Sequence, residues 1–193
     1  MRQLFALLFA VLALAPLNPA LAQDAAALMT ALEARTPGAV LKDLRHAPDR
    51  FLTEAAGVIL GFGGADGLSA PQIEDAIMAE RARVRARELR RLLELDLNND
   101  LALQPRELDV AVAASSAVMR GRRVSWHMAA DTNDDETVSW PELRAYADLR
   151  ARAALDATSA DAMRALMVFD TDNDARVTLS ELKAAVRILG AAT

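Results

Sequence analysis

Cysteine is missing from the chain, which excludes disulfides, thiol chemistry and lipid attachment through an N-terminal cysteine. Stability must come from packing and bound ions. Histidine is nearly missing too: His46 and His127 lie 81 residues apart with no cysteine near either, so a zinc site has no ligands to build on. Ser115 and Ser116 sit in a run of alanines without the turn glycines of a nucleophile elbow. With no convergent catalytic constellation, the sequence reads as that of a non-enzyme. Aromatic residues make up only 4% of the 193, glycine and proline number 8 and 7, and alternating strand patterns are almost lacking. Long alanine-rich helices are the expected fold.

Long hydrophobic runs are absent after the N-terminus. Over residues 1–22, Arg2 is the only charge, an apolar run covers 4–14, Pro16 and Pro19 follow, and Ala20, Leu21 and Ala22 close the segment. This is the layout of a signal peptide cleaved after Ala22, and the run is shorter than the roughly 20 residues of a spanning helix. The mature chain is thus expected to be secreted or periplasmic, with no transmembrane segment. The formal charge is -5, and loss of Arg2 leaves 21 basic against 27 acidic residues, a net -6. That acidic excess argues against nucleic acid as a partner.

What is present is a repeat. Residues 96–107 (DLNNDLALQPRE), 131–142 (DTNDDETVSWPE) and 170–181 (DTDNDARVTLSE) each carry Asp first, Asn or Asp third, Asp fifth, an aliphatic residue eighth and Glu twelfth. Their starts are 35 and 39 residues apart. Calcium is a hard cation that takes six to eight oxygens at roughly 2.3–2.6 Å. In such a loop, side chains one, three and five converge on the ion, the seventh residue offers its backbone carbonyl, and the twelfth Glu closes the site with both oxygens. The candidate ligands are therefore Asp96, Asn98, Asp100, Ala102 and Glu107 in the first loop. Asp131, Asn133, Asp135, Thr137 and Glu142 follow in the second, and Asp170, Asp172, Asp174, Arg176 and Glu181 in the third. Magnesium is the competitor, although its octahedral geometry at roughly 2.0–2.1 Å suits a bidentate Glu less well.

Apolar residues at helical spacing flank the loops. Leu92 and Leu95 precede the first, Leu166 and Phe169 the last, and His127 and Ala130 stand at those offsets before the middle one. Leu108 and Val112, Leu143 and Tyr146, and Leu182 and Val186 follow the loops and suit a shared core.

On these motifs residues 50–190 resemble the EF-hand calcium-binding family, in a tandem four-hand arrangement similar to calmodulin. The resemblance implies an all-α fold of paired helix–loop–helix units, so three good loops imply a fourth. Stepping back 35 residues from Asp96 gives the window 61–72 (GFGGADGLSAPQ), with Leu68 at position eight and Gln72 in place of the closing Glu. Gly61, Gly63 and Ala65 offer no side-chain oxygen, so this is a degenerate hand with a structural role. The expected organisation is a helix near residues 25–35, a connecting stretch over 36–49, one hand pair at 50–117 and a second at 118–193. Leu68 would pair with Leu103, and Val138 with Val177. Ser159 is expected to cap the helix entering the last loop.

Position six of the family's loop is glycine, whereas here it is Leu101, Glu136 or Ala175. A left-handed non-glycine residue costs on the order of 1–2 kcal/mol, so either the sites are weak or the loops turn differently. Carboxylate count ranks the 170–181 loop first, then 131–142, then 96–107 with its bulky Leu101 and nearby Arg106. The functional expectation is a calcium sensor or buffer acting outside the cytoplasm, with an unidentified protein as target. The alternative is a structural adaptor that binds a partner through its helical surface while ions only rigidify it. Met78, Met119, Met128, Met163 and Met167 suit either a core or an adaptable target surface. Two arginine-rich segments stand apart: 81–91, whose Arg83, Arg87, Arg90 and Arg91 share a helix face suited to an anionic partner, and Arg120, Arg122 and Arg123 in an expected linker.

Overall fold

The computed structural model describes residues 19–190, and the apolar run over 4–14 on which the expected signal peptide rests lies outside them. The described chain is mostly helical: 76% of it is helix, in nine α-helices and three short π or 3₁₀ segments. No helix among the described residues is long and apolar enough to cross a membrane.

In chain order the helices are α1 (Pro19–Arg35), α2 (Gly38–His46), α3 (Pro48–Val58), α4 (Ala70–Leu93), α5 (Pro105–Ala113), α6 (Ala117–Ala130), α7 (Trp140–Ala154), α8 (Ala157–Arg164) and α9 (Leu179–Gly190). Two short strands, β1 (Leu68–Ser69) and β2 (Arg176–Val177), complete the set. The stretch expected to connect is therefore itself mostly helical. α2 buries Val40 and Leu44, and Pro48 opens α3.

The helices leaving the loops share one start signal. At α4, α5 and α7 the cap is Ser69, Gln104 or Ser139, a proline occupies the first or second helical position, and Gln72, Glu107 or Glu142 completes a capping box. Proline there gives up only an N–H that has no partner inside the helix, and the box satisfies two more. The last loop uses Thr178 and Glu181 in the same way. Ser159 proves not to be a cap. Asp156 caps α8 and accepts from the Ser159 N–H at 2.8 Å, because a carboxylate one turn earlier is the stronger acceptor for free N–H groups.

The loops do not pair as the linear order suggests. β1 runs antiparallel to β2, with Leu68 opposite Val177 and Ser69 opposite Arg176. Leu103 instead meets Val138, N–H to O at 2.9 Å and 3.0 Å. The first helix–loop–helix unit thus joins the fourth, and the second joins the third. The physical reason is the length and continuity of α4 and α7. α4 is both the exit of the first loop and the entry to the second, and its 24 residues contain no break, so those two loops sit at opposite ends of one rod. α7 packs along α4 and carries the chain away from the third loop, and after a break at Leu155 and Asp156 the separate α8 and a 3₁₀ turn over Ala165–Phe169 lead into the fourth. Arg85 to Asp148 at 3.2 Å and Arg81 to the Leu155 carbonyl at 3.1 Å tie the two rods together.

Two hydrophobic clusters follow. One draws on both ends of the described chain: Leu32, Leu44, Ile59, Leu68, Phe169, Val177 and Leu189 are all buried in it. The other is built from its middle, with Leu92, Leu95, Leu103, Val138, Leu143 and Tyr146. The expected division at 117/118 would cut α6 just after its first residue and part it from α5, on which it packs. Within the first cluster α1, α2 and α3 lie against α9.

Candidate metal centre

Each acidic loop is organised by its own backbone before any ion is considered. Asn99 and Leu101, Asp134 and Glu136, and Asn173 and Ala175 are all left-handed, with φ between 59° and 66°. These are positions four and six of each loop. The absence of glycine at position six does not change the turn, so Leu101, Glu136 and Ala175 carry the strain. Leu101 and Glu136 are exposed, so their size meets solvent rather than the core.

What holds those residues left-handed is the first aspartate. Asp96 accepts from the N–H groups of Asn99 (2.8 Å) and Leu101 (3.0 Å). Asp170 does the same with Asn173 (2.7 Å) and Ala175 (3.1 Å), and Asp131 with Glu136 (3.0 Å). Position three accepts from the N–H of position five: Asn98 from Asp100, Asn133 from Asp135, Asp172 from Asp174. Position five accepts from position seven, so Ala102, Thr137 and Arg176 each donate to Asp100, Asp135 or Asp174. The chain is wound around a centre lined by oxygens.

The closing glutamate bridges the two ends of its loop. Glu107 accepts from the N–H of Leu97 at 2.8 Å with one oxygen and of Gln104 at 3.0 Å with the other. Glu142 takes the N–H and hydroxyl of Thr132 and of Ser139, and Glu181 those of Thr171 and Thr178. Donors from Ser139 and Thr132 hold the Glu142 carboxyl down to about 2. For Glu181, burial pushes upward, but the Thr178 and Thr171 donors outweigh it and the carboxyl stays below its ordinary value. Thr132 and Thr171 stand at position two and Ser139 and Thr178 at position nine of their loops, a regularity the sequence carries.

A depressed folded-state pKa stabilises the fold above the ordinary value and is lost as pH falls through the folded one. In metal-free protein the stability difference between wild type and Glu142→Gln is therefore expected to be full above pH 4.5 and to shrink toward pH 2. Urea unfolding across that range, followed by circular dichroism, measures it. A difference that does not change with pH would contradict this assignment.

The acids converge to different degrees. Carboxylate oxygens of Asp96, Asp100 and Glu107 lie within 4.8 Å of one another, as do those of Asp170, Asp172 and Asp174. The middle loop has instead a buried carboxylate oxygen, Oδ1 of Asp131, with no hydrogen-bond partner among the described residues. All three loops offer oxygen donors only, the set that suits a hard cation. Acidic groups that could hold a metal ion are thus present in the loops at both ends of the α4 rod.

The window 61–72 differs in kind. After α3 the chain makes a wide turn over Ile59–Gly63 and a 3₁₀ turn over Gly64–Asp66. The Gln72 amide donates to the Phe62 carbonyl at 2.9 Å, while its oxygen accepts from the Ser69 N–H at 2.9 Å. A neutral hydrogen bond thereby spans the loop. Gly63 is required because a Cβ there would stand 2.6 Å from the Leu68 nitrogen, and Gly67 because its φ is 86°. The result is a rigid partner that holds β2, and through it the 170–181 loop, with no acid at a ligand position.

His127, read as filling an apolar offset, is buried with Nε2 3.3 Å from the Leu103 carbonyl. It braces the bridge between the second and third loops. Comparison of the chain with family models, with curated proteins and with solved structures finds no match.

Proposed function

We propose that the protein binds calcium at its three acidic loops and acts outside the cytoplasm as a calcium sensor or buffer of the EF-hand type. The observation that carries this reading is the convergence of three carboxylates within 4.8 Å at each of two loops. Two like charges 4 Å apart repel by about 4 kcal/mol in a surface environment, and a bound divalent ion reverses the sign of that term. Left-handed backbone at positions four and six, held without glycine, supports the same reading. So does the unpartnered Asp131 oxygen, which lacks only a cation to satisfy it. Export rests on the N-terminal sequence pattern.

Oxygen-only donor sets with a glutamate able to offer both oxygens favour calcium over magnesium. The strain at Leu101, Glu136 and Ala175 lowers affinity, which suits an extracellular setting where such modules work at dissociation constants of roughly 10⁻⁴ to 10⁻³ M. Calorimetric titration of metal-free protein with calcium is expected to show three binding events, tightest at the 170–181 loop with its four carboxylates. Absence of heat at millimolar calcium would overturn the proposal.

A further inference from the structure

The two arginine-rich segments of the sequence, 81–91 and 120–123, meet in space. A cavity of about 200 Å³ opens between the C-terminal half of α4 and α6, lined by Arg87, Arg90 and Arg91 from the first and Arg123 from the second. Trp126 and Met119 form its apolar wall, and Glu94 stands at its edge. Besides Glu94, the nearest counter-charge is Glu88, only 3% exposed, with its oxygens 3.5 Å from Arg87 and 2.8 Å from Arg91. Four guanidinium groups thus face two carboxylates, leaving a local excess of two positive charges in a protein that is acidic as a whole.

Several of these guanidinium groups are fixed in place. Arg91 stacks over the Trp126 ring at 4.7 Å and is tethered by Glu88. Arg123 is pinned through one nitrogen to the Ala111 carbonyl (2.6 Å) and the Ser115 hydroxyl (2.7 Å). A guanidinium has five N–H donors in a rigid fork, so each of these keeps donors to spare. The Arg90 side chain is exposed and makes no hydrogen bond or ion pair with the described residues. Burying Glu88 beneath the cluster holds the arginines close despite their mutual repulsion and leaves their outer donors directed at one small volume.

We propose that this cavity is a binding site for a phosphomonoester. A dianion matches the charge excess of two. Three terminal oxygens accept from forks arriving from two helices, a geometry that a planar carboxylate with two oxygens meets less completely. The indole and thioether wall takes the apolar part of the ester. Either a free phosphate compound or the headgroup of an anionic lipid presents this chemistry.

Its lining includes no ligand of the acidic loops, so it is tested in calcium-free buffer with chelator. Calorimetry with inorganic phosphate and with phenyl phosphate is paired with sedimentation of phosphatidylcholine vesicles with and without phosphatidic acid. Saturable phosphate binding, weakened about tenfold by Arg90→Gln, assigns free phosphate compounds; tenfold is what loss of one charge-assisted hydrogen bond produces. Sedimentation that needs phosphatidic acid and is lost in Arg90→Gln assigns the headgroup. The Arg90 side chain has no partner among the described residues to lose, so this variant keeps the fold, and Arg123→Gln serves as a second arm. No heat together with no phosphatidic-acid-dependent sedimentation overturns the proposal, as does unchanged binding in both variants.

Discussion

Phe169→Ala is expected to destabilise the metal-free protein by about 3–5 kcal/mol, a large share of the 5–15 kcal/mol typical of a whole domain. The Phe169 side chain is fully buried and meets the Phe51 ring edge-on, with centroids 6.1 Å apart. It stands in the cluster where α1, α2, α3 and α9 come together, so its cavity opens at the joint between the two ends of the described chain. It also directly precedes Asp170, whose carboxylate organises the last loop. The same variant should therefore weaken calcium at that loop more than at the other two. Urea unfolding in chelator and calcium titration measure the two effects. A stability loss below about 1 kcal/mol, less than the usual range for such truncations, would show that the cluster is not packed as described.

Replacing the closing glutamates tests both the metal reading and the pairing. Glu142→Gln and Glu181→Gln are each expected to lower calcium affinity at their own loop by about a hundredfold, the upper end of what even supporting groups of a metal site contribute. Their effects elsewhere should differ. The 131–142 loop is bridged to 96–107 through Val138 and Leu103, so Glu142→Gln should also weaken the Asp96 site. The 170–181 loop is bridged through Val177 and Leu68 to 61–72, whose single acid, Asp66, stands at no ligand position, so Glu181→Gln should leave both other sites unchanged. Calorimetry of the two variants decides the matter. A loss at the 131–142 loop in Glu181→Gln, with none at 96–107 in Glu142→Gln, would restore the linear pairing. Binding to a partner that survives both substitutions would favour the adaptor role.

The loops were the most legible part of the sequence because their chemistry is local. Asp, Asn and Glu at fixed offsets, with an aliphatic at position eight, specify a turn closed by its own hydrogen bonds, and each loop is wound by such bonds. Helical content was legible from the alanine-rich composition, and Leu92, Leu95, Leu143, Leu166, Phe169 and Leu182 are buried as their spacing suggested. The pairing was not legible, because every eighth residue is aliphatic and any two could form the bridge. What decides it is whether α4 and α7 bend, and a run such as 81–91, rich in arginine and alanine, is equally consistent with one helix or two. α2 was missed because nine residues with only two fully buried side chains, Val40 and Leu44, give a weak periodic signal. The meeting of Arg91 and Arg123 was likewise hidden, since it depends on how α6 lies against α4 rather than on either segment alone.

The nested pairing sets an order of assembly. The strands that close the outer pair are 109 residues apart in sequence, whereas Leu103 and Val138 are 35 apart. Chain closure costs more entropy the longer the loop, and distant contacts form late. As synthesis proceeds the middle of the chain completes its own cluster while Leu68, Ile59 and Leu44 still lack Val177, Phe169 and Leu189. Until β2 and α9 are made, the first half-unit carries an unpaired strand and an uncovered apolar surface, the features that invite wrong partners. The glycine-rich loop closed by Gln72 limits that exposure, for it presents a strand of only two residues, already rigid, to the last piece of chain to arrive.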